Sequence, residues 1–227
     1  MKIQVWDLPL RLCHWLLAAS VATAFVTAQI GGNAMVWHGR AGLAVVGLLA
    51  FRIVWGFVGS TNARFASFVK GPGAIRAYLR GEWRGVGHNP LGALSVLALL
   101  CLLAAQAASG LFANDDISYQ GYLYALVSPD LSGTITEVHE FFEGLMIALV
   151  VLHVGAIAFY VKVKKDNLTI PMITGWKHVA EPVEAPRSGS VVGFLVAVII
   201  AAAAAYAASG ALLPPPPPPA AVETPAF

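Results

Sequence analysis

Residues 138–161 read VHEFFEGLMIALVVLHVGAIAFYV, an apolar run interrupted by histidine at 139 and again at 153. About 20 apolar residues of helix cross a hydrocarbon core of about 30 Å, so this run is long enough to span a membrane. Fourteen residues of α-helix make close to four turns, about 21 Å of rise with an angular drift of about 40°. His139 and His153 therefore leave one face of one span at two depths. Ionisable side chains inside a bilayer are costly and mark function. Two such groups stacked in depth point to two cofactors layered across the membrane.

Four further runs of similar length flank this one: Leu10–Ile30, Val36–Phe57, Leu91–Phe112 and Val191–Leu213. The chain of 227 residues is 58% apolar and 11% charged, far outside the range of soluble domains. The expected fold class is all-α: an integral membrane four-helix bundle with an additional C-terminal transmembrane helix. A net charge of +2 gives no reason to read a nucleic-acid binder. The N-terminus has Lys2 before an apolar run, as a secretory signal does. Asp7, Pro9 and the His14-Trp15 pair inside the run argue instead for a retained span. Cys13 and Cys101 fall in different spans and read as apolar filler, and no C-x-x-C-H element exists for covalent haem attachment.

Cytoplasmic loops of membrane proteins carry the excess of Lys and Arg. Lys2 and Arg11 precede or open span one. Arg52, Arg64, Lys70, Arg76, Arg80 and Arg84 lie between the ends of spans two and three, and Lys162, Lys164, Lys165, Lys177 and Arg187 follow span four. Of the fourteen basic residues only Arg40 lies on the other side, where the connection 113–137 carries Asp115, Asp116, Asp130 and Glu137. The expected arrangement is a bacterial inner-membrane, multi-pass protein with a cytoplasmic N-terminus and a periplasmic C-terminus. Its parts are a bundle over residues 1–165, a cytoplasmic linker over 166–190, a fifth span over 191–213 and a proline-rich periplasmic tail over 214–227. Aromatic and basic residues around Gly71-Pro72-Gly73 suggest a short interfacial helix after Pro72, although an ordinary basic loop fits nearly as well. Span five lacks any His, Arg, Glu or Asp and looks appended, and the tail opens with six prolines that favour an extended polyproline conformation.

Helix direction sorts the histidines. Span one runs outward, so His14 lies at cytoplasmic depth, whereas span two runs inward, so His38 lies at the outer depth. Span four also runs inward and puts His139 outside and His153 deeper. The expected pairs are His14 with His153 and His38 with His139. Imidazole suits haem iron, and two axial imidazoles leave no open position, which favours electron transfer over oxygen binding. Gly39, Gly42, Gly144 and Gly155 would let a porphyrin approach the backbone. For a single histidine, packing is the plainer reading; two depth-matched pairs favour two haem b groups. Arg52, fourteen residues after His38, lies at the level of the inner pair. It could meet a haem propionate or extend to the headgroups. His88 reads as a helix-start residue, with a place near quinone or a propionate as the alternative. Glu140 and Glu143 read as water-facing.

The opening Val5-Trp6-Asp7-Leu8-Pro9-Leu10-Arg11-Leu12-Cys13-His14-Trp15 resembles the start of bacterial cytochrome b561 proteins, which include the b-type subunit of nickel-iron hydrogenases. His38-Gly39, Arg52, Trp55-Gly56, Ala63-Arg64-Phe65, Gly71-Pro72 and Gly87-His88-Asn89-Pro90-Leu91-Gly92 are similar to that family as well, so the resemblance spans roughly residues 4–165. It implies two haem b groups, an inner one on His14 and His153 and an outer one on His38 and His139, with Arg52 and Arg64 near propionates or a quinone pocket. It implies an electron-transfer subunit of a quinone-linked oxidoreductase, embedded in membrane lipid. Such a subunit exchanges electrons between quinone and a periplasmic cytochrome c or other redox subunit such as a hydrogenase. The acidic outer loop could steer a basic partner. A superoxide:quinone oxidoreductase is the enzymatic alternative, and a non-haem transporter or scaffold the structural one. A homodimer is compatible with all three.

Overall fold

The computed structural model describes residues 1–83, 85–117, 119–179 and 186–214. Five helices of membrane-spanning length dominate it: α1 (Leu8–Ile30), α2 (Met35–Val58), α5 (Pro90–Gly110), α6 (Pro129–Lys162) and α8 (Val191–Ala208). Short helices α3 (Phe65–Phe68), α4 (Pro72–Leu79) and α7 (Thr169–Thr174) lie in the connections. The protein is thus an all-α membrane bundle with a fifth long helix.

The long helices start where their sequences supply a cap. A side-chain oxygen of Asp7, Asn89, Ser128 or Ser190 accepts the backbone N–H three residues on, at 2.7, 2.7, 3.3 and 3.0 Å. Proline follows in the first turn of α1, α5 and α6, where a missing N–H costs nothing. Only α2 starts without a side-chain cap; the chain turns into it through Gly31 and Gly32, both at positive φ (68° and 53°), a conformation that glycine adopts without penalty.

The closely packed helix pairs are α1–α2, α2–α5, α5–α6 and α2–α8, so α6 sits against α5 and stands off from α1 and α2. The buried core runs through Leu10, Cys13 and Leu17 of α1, Val45, Leu49, Phe51 and Trp55 of α2, and Ala197 of α8. The fifth span therefore shares the core: Ala197 is fully buried, the Phe194 ring meets those of Phe51 and Trp55 at 6.0 and 6.1 Å, and a Cβ on Gly47 would touch the Ala201 carbonyl. Small side chains on both helices allow this close approach.

Two segments are more ordered than their composition suggests. Helix α6 starts at Pro129, nine residues before the apolar run, and its 34 residues rise about 51 Å, beyond a hydrocarbon core of about 30 Å. Its projecting first turns carry Ser132, whose buried hydroxyl donates to the Phe112 carbonyl at 2.7 Å, and Thr136, which holds Asn114. The segment after α6 folds back on the N-terminus. There β1 (Lys2–Gln4) pairs antiparallel with β2 (Trp176–His178), Val5 N–H donates to the Gly175 carbonyl at 2.8 Å, and Trp15 donates to the Met172 carbonyl at 3.2 Å. Residues 166–179 thus close one end of the bundle. A helix occurs at Pro72–Leu79, where the glycine-proline signal predicts one. Arg84 and all of the tail after Pro214 lie outside the described residues.

Candidate haem-binding site

His14 lies two turns into α1, His38 in the first turn of α2, and His139 and His153 on α6. Because α1 and α2 run in opposite directions, His14 and His38 reach α6 at its two ends. The ring centroids of His14 and His153 lie 6.5 Å apart with the planes tilted by 48°, and those of His38 and His139 lie 6.1 Å apart, edge-on at 82°. A metal–imidazole bond is about 2.0–2.1 Å, so two imidazoles sharing one metal from opposite sides hold their ring centres about 6 Å apart. Both pairs have that spacing. Two axial imidazoles are the protein ligands that a porphyrin iron takes.

The surroundings also fit a flat group. Helix α6 stands away from α1 and α2, and a Cβ built on Gly42, one turn from His38, meets no atom within 4 Å. Gly144 and Gly155, expected beside the ligands, are exposed on the face of α6 turned away from His139 and His153, because 3.6 residues per turn carry them about half a turn round the helix. Gly39 differs: a Cβ there would collide with the Tyr119 hydroxyl, so this glycine seats the tyrosine that packs edge-on against His38, with ring centroids 6.5 Å apart. Burial pushes the Tyr119 hydroxyl up to about 12, with Tyr122 and Asp115 adding to the effect.

The ring nitrogens are held unequally. His38 Nδ1–H donates to the Ala24 carbonyl at 2.8 Å, and His139 Nδ1 lies 3.0 Å from both the Gln106 carbonyl and Ser109 Oγ. The Gln106 amide donates to His139 Nε2 at 3.2 Å, a nitrogen that a bound metal would claim. A Cβ on Gly110 would come within 2.8 Å of the His139 ring, so that glycine lets α5 close on it. At the other end His14 Nδ1 is buried with no partner. Gln106, Ser109, Gly110 and Tyr119 escape a search for ligands. Gln106 and Ser109 nonetheless stand out as polar residues in a span that is otherwise almost wholly apolar.

Arg52, 5% exposed, turns inward: its guanidinium lies over the Phe65 ring at 4.9 Å and donates to the Ala63 carbonyl at 3.3 Å. It does not reach out to the headgroups. Arg64, next to this turn, is exposed. His88 packs between Trp6 and Phe68, at 4.5 and 4.6 Å, with its Nδ1 buried and unpartnered. Burial, then the charges of Arg52 and His14, lowers its pKa to about 3. Glu143, expected to face water, accepts a hydrogen bond from Gln29 at 3.0 Å and ties α6 to the end of α1.

Residues 5–175 match the sequence pattern of prokaryotic cytochrome b561. A probable Ni/Fe-hydrogenase B-type cytochrome subunit from Azotobacter chroococcum mcd 1 is 29% identical over 77% of this chain and 88% of its own length. One of the same description from Azotobacter vinelandii is 28% identical over the same shares. No solved structure matches the chain. With the match covering most of the bundle, the chain belongs to the prokaryotic cytochrome b561 family, and it is a multi-pass membrane cytochrome that transfers electrons on haem b.

Proposed function

We propose that the chain is a two-haem electron conduit of the bacterial inner membrane, linking the quinone pool to a periplasmic redox partner. The observation that carries this reading is the two imidazole couples, with centroids 6.5 and 6.1 Å apart, at two levels of one helix. His14 and His153 would hold one haem b and His38 and His139 the other. Bound haem supplies one-electron chemistry at an iron whose two axial positions are filled, so oxygen has no vacant site. The chain's own part is to present four imidazoles, of which His38 and His139 are oriented through the Ala24 and Gln106 carbonyls and Ser109, and to leave room beside Gly42.

The distribution of Lys and Arg supports a cytoplasmic N-terminus and a periplasmic end at the His38–His139 level. Arg52 and Arg64 lie at the cytoplasmic end with His88, a setting suited to propionates and to a quinone headgroup. The names of the Azotobacter relatives favour a hydrogenase-like partner over a cytochrome c.

Single replacements test the assignment. His14→Ala and His153→Ala should each remove the same component of the reduced-minus-oxidised spectrum, and His38→Ala and His139→Ala the other. Loss of the same component from His139→Ala and His153→Ala would show the layering to be wrong.

A further inference from the structure

We propose that the hydrogen bonds around His38 and His139 make that centre the lower-potential of the two, with Ser109 and Gly110 of α5 as the residues that position His139 for it. This rests on the two-haem reading above. His38 Nδ1 faces the Ala24 carbonyl at 2.8 Å, and His139 Nδ1 faces the Gln106 carbonyl at 3.0 Å. A carbonyl only accepts, so both Nδ1 atoms carry the proton and both Nε2 atoms are left for metal. Ser109 Oγ, also 3.0 Å from His139 Nδ1, is a second acceptor and itself donates to the Ala105 and Gln106 carbonyls at 2.9 and 3.0 Å. Nothing equivalent exists at the other level: His14 Nδ1 is buried and unpartnered, and among the described residues no hydrogen bond holds the His153 ring.

Donation from the far nitrogen to an acceptor makes the ligating nitrogen more basic. A more basic ligand favours ferric iron over ferrous and lowers the potential; second-shell hydrogen bonding is one of the levers by which proteins set it. Fixed charge acts in the same sense. The buried Arg52 cation, fourteen residues and about 21 Å along α2 from His38, lies at the opposite end of that helix and favours the less positive ferrous state there. The opposite end carries Asp115, Asp116, Asp130 and Glu137 against one cation, Arg40, itself stacked on Trp37 at 4.8 Å. Two independent features thus order the centres alike. In the internal step one electron leaves ferrous iron at the His38–His139 level, which becomes ferric. It reduces ferric iron at the His14–His153 level to ferrous, and no bond or proton is exchanged. The gradient is downhill from a reducing protein at the acidic end to a quinone at the other.

The test is a spectroelectrochemical titration of the purified full-length holoprotein, wild type beside Ser109→Ala, Ser109→Thr and Gly110→Ala. Ser109→Ala removes an acceptor, and Gly110→Ala pushes the ring off its acceptors through a Cβ that would lie 2.8 Å from it. Both should raise the lower of two midpoints and leave the upper in place, and Ser109→Thr should restore it. A tenfold change in the ferric preference reads as about 59 mV. Movement of the upper midpoint in either variant, or a lower midpoint unmoved in both, overturns the proposal. A single component in the wild type overturns the two-haem reading along with it.

Discussion

Asp7 carries two duties with one carboxylate: Oδ1 caps α1 at Leu10 N–H, and Oδ2 accepts the indole N–H of Trp55 at 3.0 Å. Asp7→Ala should therefore cost more than a lost cap of about 1 kcal/mol, because the indole of Trp55, 2% exposed, is left unpaired at a further cost of about 1–3 kcal/mol. Thermal release of haem in detergent reads this out, and a loss no greater than that of Ser190→Ala would contradict the double role. His88 predicts a pH dependence. Its pKa falls from an ordinary value near 6.5 to about 3 in the fold, so between these values the unfolded chain binds a proton that the folded one refuses. Stability present above pH 6.5 is then lost as pH falls toward 3, and His88→Phe should flatten the slope of haem-release temperature in that window. The four histidines are legible in the sequence because helix rise and direction alone sort them by depth. Their hydrogen-bond partners are not, because Ala24, Gln106 and Ser109 are brought to them by the packing of α1 on α2 and of α5 on α6, and two of these contacts are made by backbone carbonyls that any residue has.

Among the elements, helix starts are the most legible: four of the five long helices begin within two residues of the expected runs, and in α1, α5 and α8 a capping side chain stands at that point. The early start of α6 at Ser128-Pro129 obeys the same rule; what hides it is that its first nine residues are polar and serve the connecting loop rather than the membrane. The two-stranded clasp between residues 2–4 and 176–178 is invisible locally, because three-residue strands carry no usable period and the partners lie at opposite ends of the bundle sequence. Helix α8 shows how lipid changes the energetics. Removing it would expose Phe51 and Trp55 to acyl chains rather than water, so the loss is one of packing, not of hydrophobic burial. A chain ending at residue 179, which keeps the clasp, should thus still take up haem at the wild-type ratio but release it at lower temperature. Ala197→Leu, at a position with no exposed surface, should overpack the α2–α8 seam at a cost of about 1–3 kcal/mol. Absence of haem from the shortened chain would make α8 part of the haem-holding core.

On the scale of the molecule, the two ends differ in chemistry. One gathers most of the Lys and Arg together with Arg52, His88 and the clasp; the other presents the acidic loop, Tyr119 and the end of α8, where a Cβ on Gly210 would come within 2.6 Å of the Tyr122 carbonyl. Between them the same helix, α6, offers one histidine to α1 and one to α2. Both pairs are spaced for a shared metal, and the expectation of two haem b groups in each chain stands on that repetition. The direct measurement is the pyridine haemochrome content of purified full-length protein against its concentration by amino-acid analysis. Two extractable haems per chain are expected, falling to one in His139→Ala; a ratio near one in the wild type would contradict the account.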